Sequence, residues 1–284
     1  MEIKTVGVVG CGLMGSGIAE LAAKCGYNVV VREVNDDLLA KGLKRVQGSM
    51  ARAVEKGKLS AADRDAALAR IKGTTAWNDL ADADIAIEAA IENLELKKNI
   101  FKELDAVTRS DAILASNTSS LAVMEMASMT RRPDKVLGLH FFNPVPVMPL
   151  LEMVRTFLTS EETYSVARKW GEGLGKTVVV SKDAPGFIVN ALLIPYLLDA
   201  VRMYENGFAS KEDIDTGIKL GLNHPMGPLT LLDFVGLDTT LFIADEMFKE
   251  LKDARYAAPA LLRRMVTAGY LGRKNGRGFY EYSK

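Results

Sequence analysis

Short apolar, β-branched runs recur through the first half of the chain, separated by longer stretches with helical spacing. The runs at 5–9, 28–33, 84–88, 112–116 and 136–140 are apolar on both faces. That is the pattern of parallel strands covered by helices on both sides. The stretches 18–24, 37–56 and 96–108 repeat apolar residues at helical intervals. Strand–helix–strand alternation predicts an α/β fold, a Rossmann-type doubly wound and mostly parallel sheet. Two further strands, at 150–155 and 177–181, flank a helix expected to begin near Thr159, where Thr159-Ser-Glu-Glu162 fits a capping box. From Pro185 to about Ala268 only helical periodicity remains. Ser210-Lys-Glu-Asp213 marks a helix start, and Pro225, Gly227 and Pro228 interrupt the pattern. The boundary falls at 182–186, which predicts a nucleotide-binding domain over 1–185 and an all-helical domain over 186–284.

Composition narrows the partners. The 284 residues carry 36 Lys+Arg against 36 Asp+Glu, so net charge is zero and no general nucleic-acid binder is expected. Cys11 and Cys25 make neither a zinc cluster nor a disulfide framework, which points to a reducing, cytoplasmic compartment and no metal. The apolar segment 6–23 holds five glycines and follows Met-Glu-Ile-Lys, so it reads as neither signal peptide nor membrane span. The run 187–201 contains Asn190, Pro195 and Asp199 and is too short to span easily, so no membrane partner is expected.

Gly10-Cys-Gly12-Leu-Met-Gly15 lies between a strand and a helix, and Glu33 ends the next strand. Together these make a dinucleotide fingerprint. Gly10 permits the tight turn, Gly12 close approach of a pyrophosphate, and Gly15 close helix–strand packing. Glu33 suits ribose hydroxyls and repels a 2′-phosphate, so NAD (NADH) is expected before NADP. Arg32 beside it is the group that can oppose that preference. A glycine turn that merely packs is the plainer alternative.

Hydride chemistry at a carbonyl needs a proton-exchanging group near neutral pH, and histidine suits it best. The chain has two histidines, His140 and His224. His140 ends the last strand of the first half, where α/β sheets place ligands. Glu152, twelve residues on across a proline-bounded turn, can return against the imidazole and fix its tautomer. The alternative is a packed strand-end histidine. His224 reads as a loop residue. Ser119, in Asn117-Thr-Ser-Ser120, follows another strand end, and Asn190 interrupts an apolar helix. Each is either a substrate contact or a structural group, a helix cap for Ser119 and a satisfied amide for Asn190. In 38–58, Leu39, Leu43, Val46, Met50 and Ala53 are spaced for one buried face, while Arg45, Ser49, Arg52 and Lys56 share another. That second stripe is either a solvated surface or an anion site.

Taken together, Val8-Val-Gly-Cys-Gly-Leu-Met-Gly15, Ile87-Glu-Ala-Ala-Ile-Glu92, Ser116-Asn-Thr-Ser-Ser120, Gly138-Leu-His-Phe-Phe-Asn-Pro-Val145, Asp183-Ala-Pro-Gly-Phe-Ile-Val-Asn190 and Gly272-Arg-Lys-Asn-Gly-Arg-Gly-Phe-Tyr280 carry a resemblance. The sequence resembles the short-chain L-3-hydroxyacyl-CoA dehydrogenase family over essentially its whole length, and within it the single-function bacterial enzymes acting on 3-hydroxybutyryl-CoA. The resemblance implies NAD-dependent interconversion of (S)-3-hydroxybutyryl-CoA and acetoacetyl-CoA. It makes His140 the acid/base and Glu152 its partner, with Ser119 and Asn190 near the substrate's 3-oxygen. It puts Gly10, Gly12, Leu13, Met14, Gly15, Glu33, Glu92, Lys97, Asn117, Asn143 and Lys274 at the cofactor. It puts Ser49, Arg52 and Lys56 at coenzyme A, and implies a homodimer through the C-terminal domain. Glu33 stands where the family more usually has Asp. The competing functions are a gulonate-type dehydrogenase of a free hydroxy acid on the same fold, and a non-enzymatic crystallin-like or nucleotide-sensing protein.

Overall fold

The apolar runs pair as strands in a computed structural model that describes residues 1–283. Among these residues eight strands form one sheet: β1 (Thr5–Val9), β2 (Asn28–Arg32), β3 (Ile71–Thr74), β4 (Ile85–Glu88), β5 (Ile113–Ser116), β6 (Val136–Phe141), β7 (Leu150–Arg155) and β8 (Thr177–Lys182). Their order is β3-β2-β1-β4-β5-β6-β7-β8. All neighbours are parallel except β6 and β7, which are antiparallel. Every residue of β4, β5 and β6 is buried, as a sheet covered on both faces requires. The chain order reverses between β1 and β4, and that switch point opens a crevice at their carboxyl ends.

Helices α1 (Leu13–Lys24), α2 (Asp36–Glu55), α3 (Ala61–Ala69), α4 (Leu94–Val107), α5 (Val123–Ala127) and α6 (Glu161–Gly173) complete the first compact unit, Met1–Ala184. Asn35, Ser60, Asn93 and Ser160 cap α2, α3, α4 and α6 with side-chain oxygens. The α6 start corrects the expected capping box. Ser160, not Thr159, accepts the Thr163 N–H. Thr159 instead receives the Thr156 N–H and donates to the Val136 carbonyl at 2.7 Å, and Glu162 pairs with Lys135. The hydroxyl thus closes the turn after β7 rather than the helix.

The second unit, from Pro185 onward, contains α7 (Val189–Glu205), α8 (Lys211–Gly221), α9 (Pro228–Val235), α10 (Leu237–Leu251) and α11 (Ala260–Thr267). Ile194, Leu197, Leu198, Val201, Leu229, Leu232 and Met247 form its core. Two buried aspartates tie it together. Asp215 receives the Leu229 and Thr230 N–H groups at the start of α9. Asp233 receives those of Phe279 and Tyr280 and the Tyr282 hydroxyl. Among the described residues no helix is long and apolar enough to cross a membrane.

Candidate active site

Gly10 turns the chain at the end of β1 with φ +97°, and an added Cβ would lie 2.8 Å from the Ala89 carbonyl oxygen beyond β4. A Cβ on Gly15 would strike the Gly10 carbonyl, whereas one on Gly12 would meet nothing within 4 Å. The turn is therefore closed behind Gly10 and Gly15 and open over Gly12. No side chain caps α1, and its first turn carries no acid. Its leading N–H groups and positive dipole end are left for an anion from outside the chain. This cradle fits a dinucleotide pyrophosphate. Leu13 is exposed at the helix start, with Met14 partly buried behind it.

Glu33, just past β2, accepts the Cys11 N–H at 2.7 Å through one oxygen and the Val34 N–H at 2.7 Å through the other. The carboxylate is thereby fixed at the edge of the turn. Arg32 points away from any such role, with its guanidinium stacked 4.0 Å over the Trp77 ring. The loop has a second brace in Arg45, whose Nη1 donates to the Cys11 carbonyl at 3.1 Å. Burial, with the Glu33 charge adding and Arg45 opposing, pushes the Cys11 thiol up to about 11, so it is no nucleophile.

At the ends of β4 and β5 lies a charged cluster. Glu92 Oε1 receives the Ser119 N–H at 2.7 Å and the hydroxyls of Ser119 and Thr118, each at 3.1 Å. Lys97 lies 3.2 Å from Glu92 Oε2 and 2.7 Å from Glu88. Asn117 turns the other way and accepts the Phe141 N–H at 2.9 Å, pinning the end of β6.

The antiparallel register sets His140 directly opposite Glu152. Cross-strand partners present their side chains on the same face, and His140 Nδ1 meets Glu152 Oε2 at 2.6 Å. Glu152 is fully buried and His140 nearly so. A carboxylate there fixes the Nδ1–H tautomer and stabilises an imidazolium. Phe142 packs on the imidazole at 4.5 Å between ring centroids. The loop joining the two strands, which carries Asn143, is strapped by Lys176, whose ammonium donates to the Val145 and Met148 carbonyls, both at 2.6 Å. Burial lowers the Lys176 pKa.

Residues 5–184 match the family description "3-hydroxyacyl-CoA dehydrogenase, NAD binding domain", and 186–282 match "3-hydroxyacyl-CoA dehydrogenase, C-terminal domain". The chain belongs to the 3-hydroxyacyl-CoA dehydrogenase family. It is an oxidoreductase with that family's NAD-binding domain. A 3-hydroxybutyryl-CoA dehydrogenase of Mycobacterium tuberculosis is 53% identical over 282 residues, covering 99% of each chain. One of Clostridioides difficile is 45% identical, covering 98% of this chain and 99% of its own. The solved (S)-3-hydroxybutyryl-CoA dehydrogenase of Ralstonia eutropha superposes with a TM-score of 0.96 at 47% identity, covering 100% of both.

In this dehydrogenase the remaining expected residues fall in two places. Asn190, buried in the first turn of α7, and Lys274, paired with Asp238 at 2.5 Å, belong to the C-terminal unit. The polar stripe on α2 is divided. Arg45 bonds the glycine loop, and the buried carboxyl of Glu20 on α1 is pushed up by burial and held back by Ser49 and Lys24. Arg52 and Lys56 remain exposed. The stripe therefore divides between Arg45, bonded to the glycine loop, and two open cations. Sequence reasoning passed over Glu88, Ser116 and Lys176. A lone carboxylate ending the otherwise apolar strand Ile85–Glu88 was the available signal for the first.

Proposed function

We propose that this dehydrogenase interconverts (S)-3-hydroxybutyryl-CoA and acetoacetyl-CoA with NAD(H). The observation that carries the reading is the buried His140–Glu152 pair at the carboxyl end of β6. The printed activities of its full-length relatives supply the substrate. The residues that would hold NAD are Gly10, Gly12, Leu13, Met14 and Gly15 at the pyrophosphate, Glu33 at the adenosine ribose, and Glu92, Asn117, Asn143 and Lys274 toward the nicotinamide half. When bound, NAD would supply a hydride acceptor for C3 of the hydroxy substrate, and NADH a hydride donor for the ketone. Because Nδ1 is engaged by Glu152, proton exchange with the 3-oxygen falls to Nε2 of His140. Neutral His140 accepts the hydroxyl proton in oxidation, and His140 imidazolium donates it in reduction. Glu152 stabilises the imidazolium in both directions. Ser119 and Asn190 orient the 3-oxygen, and Ser49, Arg52 and Lys56 serve the coenzyme A end.

NAD is preferred to NADP because Glu33 is fixed in place and Arg32 is committed to Trp77. Two free cysteines suit a cytoplasmic setting. Exposed Phe208, Leu220 and Phe234 suit a homodimer through the C-terminal unit, which sedimentation equilibrium reads as twice 30.9 kDa and a single-chain mass would contradict. The substrate test follows NADH absorbance with acetoacetyl-CoA beside free 3-oxo and hydroxy acids, gulonate among them. Turnover of the thioester at a kcat/KM far above the free acids is expected; preference for a free acid overturns the reading.

A further inference from the structure

The loop between β6 and β7 has two supports. The Pro144 carbonyl accepts the Val147 and Met148 N–H groups, both at 2.9 Å, which folds this stretch into a tight turn. The carbonyls of Val145 and Met148 then converge on Lys176, whose Nζ donates to both at 2.6 Å. Lys176 is 8% exposed, just ahead of β8, and the Thr177 N–H beside it bonds the Pro149 carbonyl at 2.8 Å. Buried carbonyls need donors, and an ammonium on a flexible stem can serve two at once. The other support is α1. A Cβ added to Gly17 would lie 2.9 Å from the Val145 Cβ. Buried Val145 is thus seated by its side chain on the helix that opens from the glycine turn, and by its carbonyl on Lys176. At the start of the same loop, Phe142 packs on the His140 imidazole at 4.5 Å between ring centroids.

We infer that Lys176 is a positioning residue for the reaction: it seats the β6–β7 loop on α1 at Gly17 and so fixes the His140 imidazole relative to the cofactor cradle. This rests on the proposed roles of His140 and the glycine turn. The strand register alone keeps His140 opposite Glu152. The lysine adds the seat of the loop, which carries the Phe142 ring against the imidazole and the side chain of Asn143. Removing the ammonium leaves two buried carbonyls without their donor, and the loop regains hydrogen bonds by lifting toward water. The pyrophosphate cradle does not depend on that seat, because Gly10 closes against Ala89 and Gly15 against Gly10. Lys176 therefore governs the chemical step more than cofactor binding.

The test is single-turnover oxidation of prebound NADH by acetoacetyl-CoA, with rate and amplitude read separately and NADH affinity titrated by fluorescence. Lys176→Met should slow the step by about 10²-fold at full amplitude, the loss expected when a reacting group is misplaced by about 1 Å. NADH affinity should change far less. A parent rate at full amplitude would overturn the inference. So would a parent rate at reduced amplitude, which would mean that Lys176 supports only the fold, and so would a loss confined to NADH affinity. In the His140→Ala background, Lys176→Met should cost little more, because the group it positions is gone. Losses that multiply there would place its action elsewhere and overturn the inference. Gly17→Ala disturbs the same seat from α1 and keeps the test available if Lys176→Met does not fold. It too should slow the step at full amplitude and add little to His140→Ala; a parent rate or multiplied losses would again overturn the inference. A His140→Ala protein reacting at the parent rate would defeat the acid/base reading itself. A slowed His140→Ala protein beside an unaffected Lys176→Met would defeat only the role of Lys176.

Discussion

Glu33 shows how much one residue's chemistry can be read in advance. Its place at the end of β2 follows from the strand pattern and the spacing from Gly15, and it does meet the glycine turn through the Cys11 N–H. What the spacing could not convey is where Arg32 goes, because its stacking partner Trp77 is remote in sequence. With the carboxylate fixed and the Arg32 guanidinium stacked on Trp77, a 2′-phosphate would meet a like charge. Glu33→Ser should therefore narrow the ratio of kcat/KM for NADH over NADPH. A parent enzyme that already favours NADPH would refute this account of Glu33. Lys97 is the opposite case: its burial against Glu88 is a tertiary fact that no local pattern encodes.

At the level of elements, the strands apolar on both faces were legible, as was the edge strand β8, and the opposite edge was not. β3 is four residues, Ile71-Lys-Gly-Thr74, with Lys72 exposed, and a half-exposed edge strand lacks the continuous apolar run that marks a central one. The antiparallel return of β7 that sets Glu152 opposite His140 was legible only from the proline-bounded turn between them, since the strand pattern itself does not give direction. The approach to β6 has its own fastening. Arg132, nearly buried, donates to Asp105 and to the last carbonyls of α4, and Arg131 adds a second bond to the same carboxylate. Burial alone would raise the Asp105 pKa, but the Arg131 bonds and the Arg132 charge outweigh it and hold it below the usual carboxylate range. A depressed folded pKa contributes stability that is present above the unfolded value, about 3.9, and is lost as pH falls through the folded one. Asp105→Asn should thus cost about 2–4 kcal/mol at neutral pH by leaving a buried cation unpaired. Urea unfolding of both proteins should show that difference shrinking as the medium is taken below about pH 4. A gap that stays constant with pH would assign the loss to packing instead of charge.

For the whole molecule, alternation in the first half and helical spacing in the second predict two parts; the described residues form two compact units, one ending at Ala184 and one from Pro185 onward. Family membership then fixes the class of chemistry, NAD-dependent oxidoreduction. The assignment of acid/base work to one histidine rests on one short contact in the first unit. The direct test of that central claim is single-turnover oxidation of prebound NADH by acetoacetyl-CoA in the parent protein and in His140→Ala, with NADH affinity measured on both. The account predicts a fall in the rate of about 10²–10⁴-fold, the usual loss for a general acid. NADH affinity should be nearly unchanged, because the glycine turn and Glu33 hold the dinucleotide independently of the imidazole. A His140→Ala protein that oxidises NADH at close to the parent rate would contradict it.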